Sequence, residues 1–172
     1  LLAGPVSFEV ERLFEGALEG SSDDRVVEFW KETAQVQAEL SEFVMELENT
    51  METTAAMYKA AKRSLEAPGD LDRKIYNLHQ QLMDIEQKLR GRKAKNAIGE
   101  KDNPTVYKRL SVAVSGTENS TYGPAPMHEE SLQLARKKLM ELKQEFELIK
   151  NKELPAVKQM LEQSGAPYVE GL

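Results

Sequence analysis

The side chains with chemical potential are few and scattered. His79 and His128 are the only histidines and Cys is absent. A zinc site needs three or four convergent ligands, and neither histidine has a second one at helical ligand spacing, so no metal and no cofactor is expected. Without Cys there are no disulfides, thiolate metal sites or Cys nucleophiles. Carboxylates are abundant, and glycoside hydrolysis uses two of them flanking the scissile bond. Here Glu46, Glu48, Glu52, Glu141, Glu145 and Glu147 alternate with Lys and Thr on faces expected to be solvated, so no catalytic pair is expected. Lys88, Arg90, Arg92, Lys93 and Lys95 make the one basic cluster. One reading is a helix C-terminus whose cations offset the dipole; the other is a docking patch for an acidic partner, and the first is preferred. Asn119-Ser120-Thr121 matches the N-glycosylation pattern in an expected loop, and no glycine spacing builds a phosphate-cradling loop.

The elements that would carry these residues are helices. Residues 23–65 contain neither Gly nor Pro and carry an apolar stripe throughout. One heptad seam takes Trp30, Gln37, Val44, Met51, Tyr58 and Leu65; the other takes Val26, Thr33, Leu40, Leu47, Thr54 and Ala61; Phe29, Val36, Phe43 and Met57 lie beside them. A face this broad expects neighbours on two sides, with Trp30 and Tyr58 as core anchors. Ser21-Ser22-Asp23-Asp24 supplies the N-cap and acidic first turn, and Ala67-Pro68-Gly69-Asp70 a reversal with Asp70 as the next cap. The second helix carries Leu71, Ile75, Leu78, Leu82, Ile85 and Leu89 at spacings of three and four, and should pack on residues 40–65. Asn103-Pro104-Thr105 reads as the capped start of a short helix with Pro104 near its first turn, running to about residue 113, and residues 115–126 read as a loop. The third long helix carries Leu132, Ala135, Leu139, Leu142, Phe146 and Ile149, is interrupted at Pro155, and resumes with Val157, Met160 and Leu161 until Ser164-Gly165.

The fold expected is all-α: an antiparallel bundle of three long helices, with a short extra helix in the second crossover and a short N-terminal β-strand. The expected domain is residues 21–172. Its core is Leu40, Val44, Leu47, Leu71, Ile75, Leu78, Leu82, Ile85, Leu89, Leu139, Leu142, Phe146 and Ile149. Residues 1–20 are set apart: Val6-Ser7-Phe8-Glu9-Val10 alternates with the period of a strand, which cannot stand alone. They read as linker plus a strand that either lies along the bundle or, the preferred reading, is the last strand of an upstream β domain, and a start at Leu1 fits an excised piece. Because the first helix outruns the second, the stripe over residues 26–43, including Val26 and Trp30, is expected to be covered only by the short helix and the end of the third, leaving a partner-helix site.

The 172 residues suffice for one domain with its own core. With 40% hydrophobic, 30% charged and 6% aromatic residues the composition is globular and suits helices. A net charge of −6 argues against nucleic acid, and no apolar run reaches the roughly 20 residues of a membrane span.

Ala3-Gly4-Pro5 followed by Phe8-Glu9-Val10, then Asn103-Pro104-Thr105 and Arg109-Leu110, then Leu154-Pro155, Leu161-Glu162 and Gly165-Ala166-Pro167-Tyr168 resemble, over nearly the whole chain, the C-terminal region of large sortilin-like proteins with sialidase-type BNR repeats. Such chains are often labelled glycosyl hydrolases. The resemblance implies a β-propeller, a small β domain ending in the strand at residues 6–10, then this helical tail, outside the cytoplasm. It transfers no catalytic residue, and the divergent residues 115–126 transfer no partner. The expected function is a non-catalytic accessory domain, a spacer, clamp or docking surface whose partners are its own upstream domains or another protein. The alternative is an autonomous assembly module; a hydrolase in its own right ranks last.

Overall fold

Uninterrupted helix formers between two caps produce the first element. In a computed structural model of the chain, which describes residues 4–11, 19–64, 69–100, 103–120 and 122–167, α1 spans Asp23–Ala61. The Ser22 hydroxyl accepts from the Arg25 amide at 3.3 Å, and Asp23 and Asp24 place negative charge at the positive end of the dipole. Helix α2 spans Leu71–Arg90. Asp70 precedes it without capping it; its carboxylate pairs with Lys74 at 3.0 Å instead. Gly91 ends α2 at a φ of 87°, a conformation that strains any residue with a Cβ.

A five-residue turn of helix, α3 (Lys93–Ala97), leads to α4, Val106–Glu118, capped by Thr105 through the Lys108 amide at 3.2 Å. Helix α4 runs five residues beyond the expected end at residue 113. The Ser and Thr residues that suggested a loop turn their hydroxyls back onto the helix: Ser115 donates to the Ser111 carbonyl at 2.7 Å and Thr117 to that of Ala113 at 3.1 Å. Helix α5 spans Pro126–Leu148, a π turn covers Ile149–Glu153, and α6 spans Leu154–Gln163. The π turn is the local answer to Pro155, which has no N–H for the residue 151 carbonyl; the Leu154 amide reaches back to the Ile149 carbonyl instead. The protein is all-helical over the described residues.

Ion pairs fix the directions. Arg25 with Glu129, Glu39 with Lys143 and Glu46 with Lys150 keep one sequence separation along the contact, so α5 runs parallel to α1. Lys62 with Asp72 and Glu48 with Arg90 make α2 antiparallel to α1. Helix α4 also runs against its neighbours: its end at Gly116 lies on His128, and its approach at Pro104 meets Lys138. Helices α2 and α4 therefore follow one another along α1, α2 beside its second half and α4 beside its first. The short helix expected as an ornament of a crossover is a core element.

One core runs the length of the molecule. Leu40, Val44, Leu47, Leu71, Ile75, Leu78, Leu82, Ile85, Leu89, Leu139, Leu142, Phe146 and Ile149 are all buried, and Phe43 meets Phe146 edge to face with centroids 5.4 Å apart. Val106, Leu110, Leu132, Val157 and Leu161 complete it.

Three expectations change. The stripe at residues 26–43 is covered along one edge: Phe29, Val36, Leu40 and Phe43 are buried under α4 and the start, not the end, of the third helical column, because α5 is parallel to α1, while Val26 is half-buried and Trp30 exposed. The buried face of α1 is centred on Phe29, Val36, Phe43 and Met57, since α5 packs on the side of Arg25, Glu39 and Glu46; Trp30 and Tyr58 are left 49% and 38% exposed. Residues 6–10 form no strand, and Val6, Phe8 and Val10 project into solvent at 81–83% exposure, as a strand-patterned segment does without a sheet edge. Leu65, Ala67, Pro68, Thr121 and Tyr168 lie outside the described residues.

Candidate contact surfaces

The basic cluster sits where α2 gives way to α4. Lys88 on α2 pairs with Glu145 on α5 at 2.7 Å, and Arg90 pairs with Glu48 on α1 at 2.7 Å. Arg90 also lies over the Tyr107 ring of α4, 5.8 Å from its centroid. Burial opposes the Arg90 charge, but hydrogen bonds with Glu48 and Tyr107 outweigh it and hold the guanidinium above its ordinary value. Arg92 is exposed, and Lys95 reaches Glu100 at 3.9 Å; the Lys93 side chain lies outside what is described. The cluster thus does more than offset a dipole. Lys88 and Arg90 fasten the end of α2 to two neighbouring helices.

A cleft of about 420 Å³ opens beside the cluster between α2, α5 and the approach to α4. Its walls carry Lys88, Arg92 and Lys138 against Asp84, Glu141 and Glu145. With both signs interspersed and Lys88 already on Glu145, the cleft has no single-sign field to hold a charged ligand.

The other expected chemical groups are tied into the frame. Glu46 and Glu147 both meet Lys150, whose ammonium is raised above its ordinary value chiefly by its hydrogen bond to Glu46. His79 is half-buried, with Nδ1 3.0 Å from the Thr54 hydroxyl. That hydroxyl also lies 2.9 Å from the Met51 carbonyl, to which it can donate while accepting from Nδ1 of the tautomer of His79 that carries its proton there. His128 does the reverse: its Nδ1 accepts from the Ala125 amide at 3.1 Å, capping α5, and its ring lies against Gly116. Among the described residues no group of three or more His, Cys, Asp or Glu is arranged to hold a metal ion. Asn119 sits at the end of α4 and donates to the Ser115 carbonyl at 2.9 Å.

Of the two apolar contact candidates, Val26 is half-buried with its methyl against Gly123, and Trp30 stands free at the edge of α1. Beside α1 a groove of about 510 Å³ runs along α4, floored by Leu40, Leu110 and Val114 and rimmed by Ser41, Tyr107 and Ser111. A row of exposed, uncharged residues on α1, Val27, Trp30, Ala34, Ala38, Ser41 and Met45, borders it. The sequence signal of this row is a second run of spacings of three and four, one face away from the buried stripe. No helix of the described residues is long and apolar enough to cross a membrane. No family model, curated protein or solved structure matches this chain.

Proposed function

We propose that the chain is a non-catalytic helical accessory domain of a larger exported protein of the sortilin-like, BNR-repeat kind, acting as a spacer, an intramolecular clamp or a docking surface. Residues 1–20 are then linker plus the final strand of a preceding β domain. Residues 21–172 are the bundle, its three antiparallel columns made of α1, of α2 followed by α4, and of α5 followed by α6. Any glycosidase acids of the parent lie upstream.

The observation that carries this reading is the exposure of Val6, Phe8 and Val10 beside a core that is closed without them. Three large apolar side chains on one face of a strand-patterned segment are costly to leave in water, roughly 1.5–3 kcal/mol each relative to full burial. A neighbouring sheet edge would take their face and their backbone groups together.

The test is hydrogen exchange at residues 6–10 in this chain and in the parent protein reached from the flanking coding sequence. Fast exchange in the isolated chain and protection in the parent support the accessory reading. Equal, fast exchange in both refutes it. In the isolated chain, replacing Val6, Phe8 and Val10 together by Ser should leave the melting temperature unchanged, because none of the three touches the core.

A further inference from the structure

The outward face of α1 carries a second row distinct from its buried stripe. Val27, Trp30, Ala34, Ala38, Ser41 and Met45 follow one another at helical spacings of three and four, and all six are exposed. At about 1.5 Å per residue the row is roughly 27 Å long. In a chain with 30% charged residues a charge-free exposed row of this length is unusual. The Ser41 hydroxyl is already satisfied by the Gln37 carbonyl at 2.9 Å, so covering it orphans no donor.

The row complements itself. If two copies lie antiparallel with the two-fold axis level with Val36, Ala34 faces Ala38 of the second copy at the axis, where small side chains permit close approach. Val27 faces Met45. Trp30 falls beside Ser41, at the rim of the α1–α4 groove, where Leu40, Leu110 and Tyr107 offer apolar surface and Gln37 and Ser111 offer oxygens for the indole N–H.

Charge makes the same selection. Lys31 and Glu42 flank the row on its other side; both are exposed, and neither has an ion-pair partner among the described residues. The antiparallel arrangement brings Lys31 of each copy within one residue of Glu42 of the other, giving two opposite-charge contacts. A parallel two-fold pairing would instead turn the flank of Lys31 and Glu42 toward the Trp30 and Ser41 flank of the other copy, leaving both charges without an opposite-charge contact. We therefore propose that a second copy of this chain docks antiparallel along the outer row of α1, each Trp30 seated in the other's α1–α4 groove. This holds whether or not the chain belongs to the parent proposed above.

The test uses the whole 172-residue chain in sedimentation velocity from about 1 μM to about 1 mM, with Trp30, the only tryptophan, as the optical reporter. A dimer is expected whose formation shifts the Trp30 emission to the blue. Ala34→Glu should weaken it about 100-fold or more, because it sets an unpaired charge at the centre of the contact. Lys31→Glu or Glu42→Lys alone should weaken it about ten-fold, and the double exchange should restore it to within about two-fold of wild type, a recovery only facing residues show. The melting temperatures of the monomeric states should not move, since every substituted side chain is exposed. A monomer at all concentrations overturns the proposal, as does a dimer indifferent to Ala34→Glu or a double exchange that recovers nothing.

Discussion

Gly116→Ala should destabilise the bundle, although glycine inside a helix is normally the weaker residue. Alanine at a helix interior is worth about 1 kcal/mol over glycine, so a free site would gain by that amount. At Gly116 a Cβ would lie 2.5 Å from Cδ2 and 2.6 Å from Cε1 of His128, and nearer still to Nε2. The ring has to leave. Its Nδ1 is the acceptor for the Ala125 amide at 3.1 Å, so leaving uncaps α5 at a cost of about 1–2 kcal/mol. It also separates the end of α4 from the start of α5, losing packing worth about another 1 kcal/mol. The net effect is a loss of about 1–2 kcal/mol, or roughly 2–8 °C in melting temperature for a chain of this size. The decisive measurement is urea unfolding followed by circular dichroism on a four-member cycle with His128→Ala. In the His128→Ala background the cap is already gone and the space is open, so Gly116→Ala should stabilise by up to about 1 kcal/mol. The sign of one substitution then depends on one ring. If Gly116→Ala stabilises in both backgrounds, or destabilises equally in both, the assigned contact between α4 and α5 is wrong.

Two further perturbations probe the frame. Leu82→Asp should abolish cooperative unfolding or cost more than about 4 kcal/mol, because Leu82 is fully buried midway along α2 and the carboxylate would have no partner; a retained sharp thermal transition would mean that α2 packs in another register. The Glu46–Lys150 tie between α1 and the π turn should fail in alkali: the Lys150 value is raised on folding above the ordinary 10.5, so its contribution is complete below 10.5 and disappears as pH rises through the folded value. Melting temperatures of wild type and Lys150→Met measured from about pH 9 to about pH 12 should therefore converge at the alkaline end; a constant difference would show that the tie contributes nothing through charge.

The same physics explains why the middle of the bundle is built in two pieces. Gly91 turns the chain out of α2, and Thr105 restarts it as α4 along the same side of α1. A break of this kind leaves helix ends that need partners. At the end of α2 the Gly91 amide answers the Gln87 carbonyl at 2.7 Å, and Lys88 and Arg90 tie that end to α5 and α1. Lys88 and Arg90 are held in structure, and the mixed-sign cleft beside them shares Lys88 and Glu145 with these cross-links.

Periodicity alone determined that the chain is helical and which side chains of α2 and α5 are buried. Leu71 through Leu89 and Leu139 through Ile149 repeat at three and four without interruption, and only a helix brings such residues to one face. The cap at Ser22 was legible for the same local reason: a hydroxyl can reach the amide three residues on, and nothing beyond that turn is involved. At α4 the cap is Thr105, and Pro104 lies before the helix instead of in its first turn. What the sequence left open depended on neighbours. The α1 stripe is broad enough to be buried at either edge, and the side on which α5 ran parallel decided that Phe29 and Phe43 go in while Trp30 and Tyr58 stay out. The end of α4 read as a loop because its Ser and Thr hydroxyls could serve helix or turn equally, and packing of Thr117 and Gly116 against the rest of the bundle chose helix. Residues 6–10 carry a strand's pattern, yet a strand exists only where another strand supplies its hydrogen bonds, and the described part of this chain supplies none. Local spacing fixes which residues can share a face; only the tertiary arrangement decides which of two possible faces is covered.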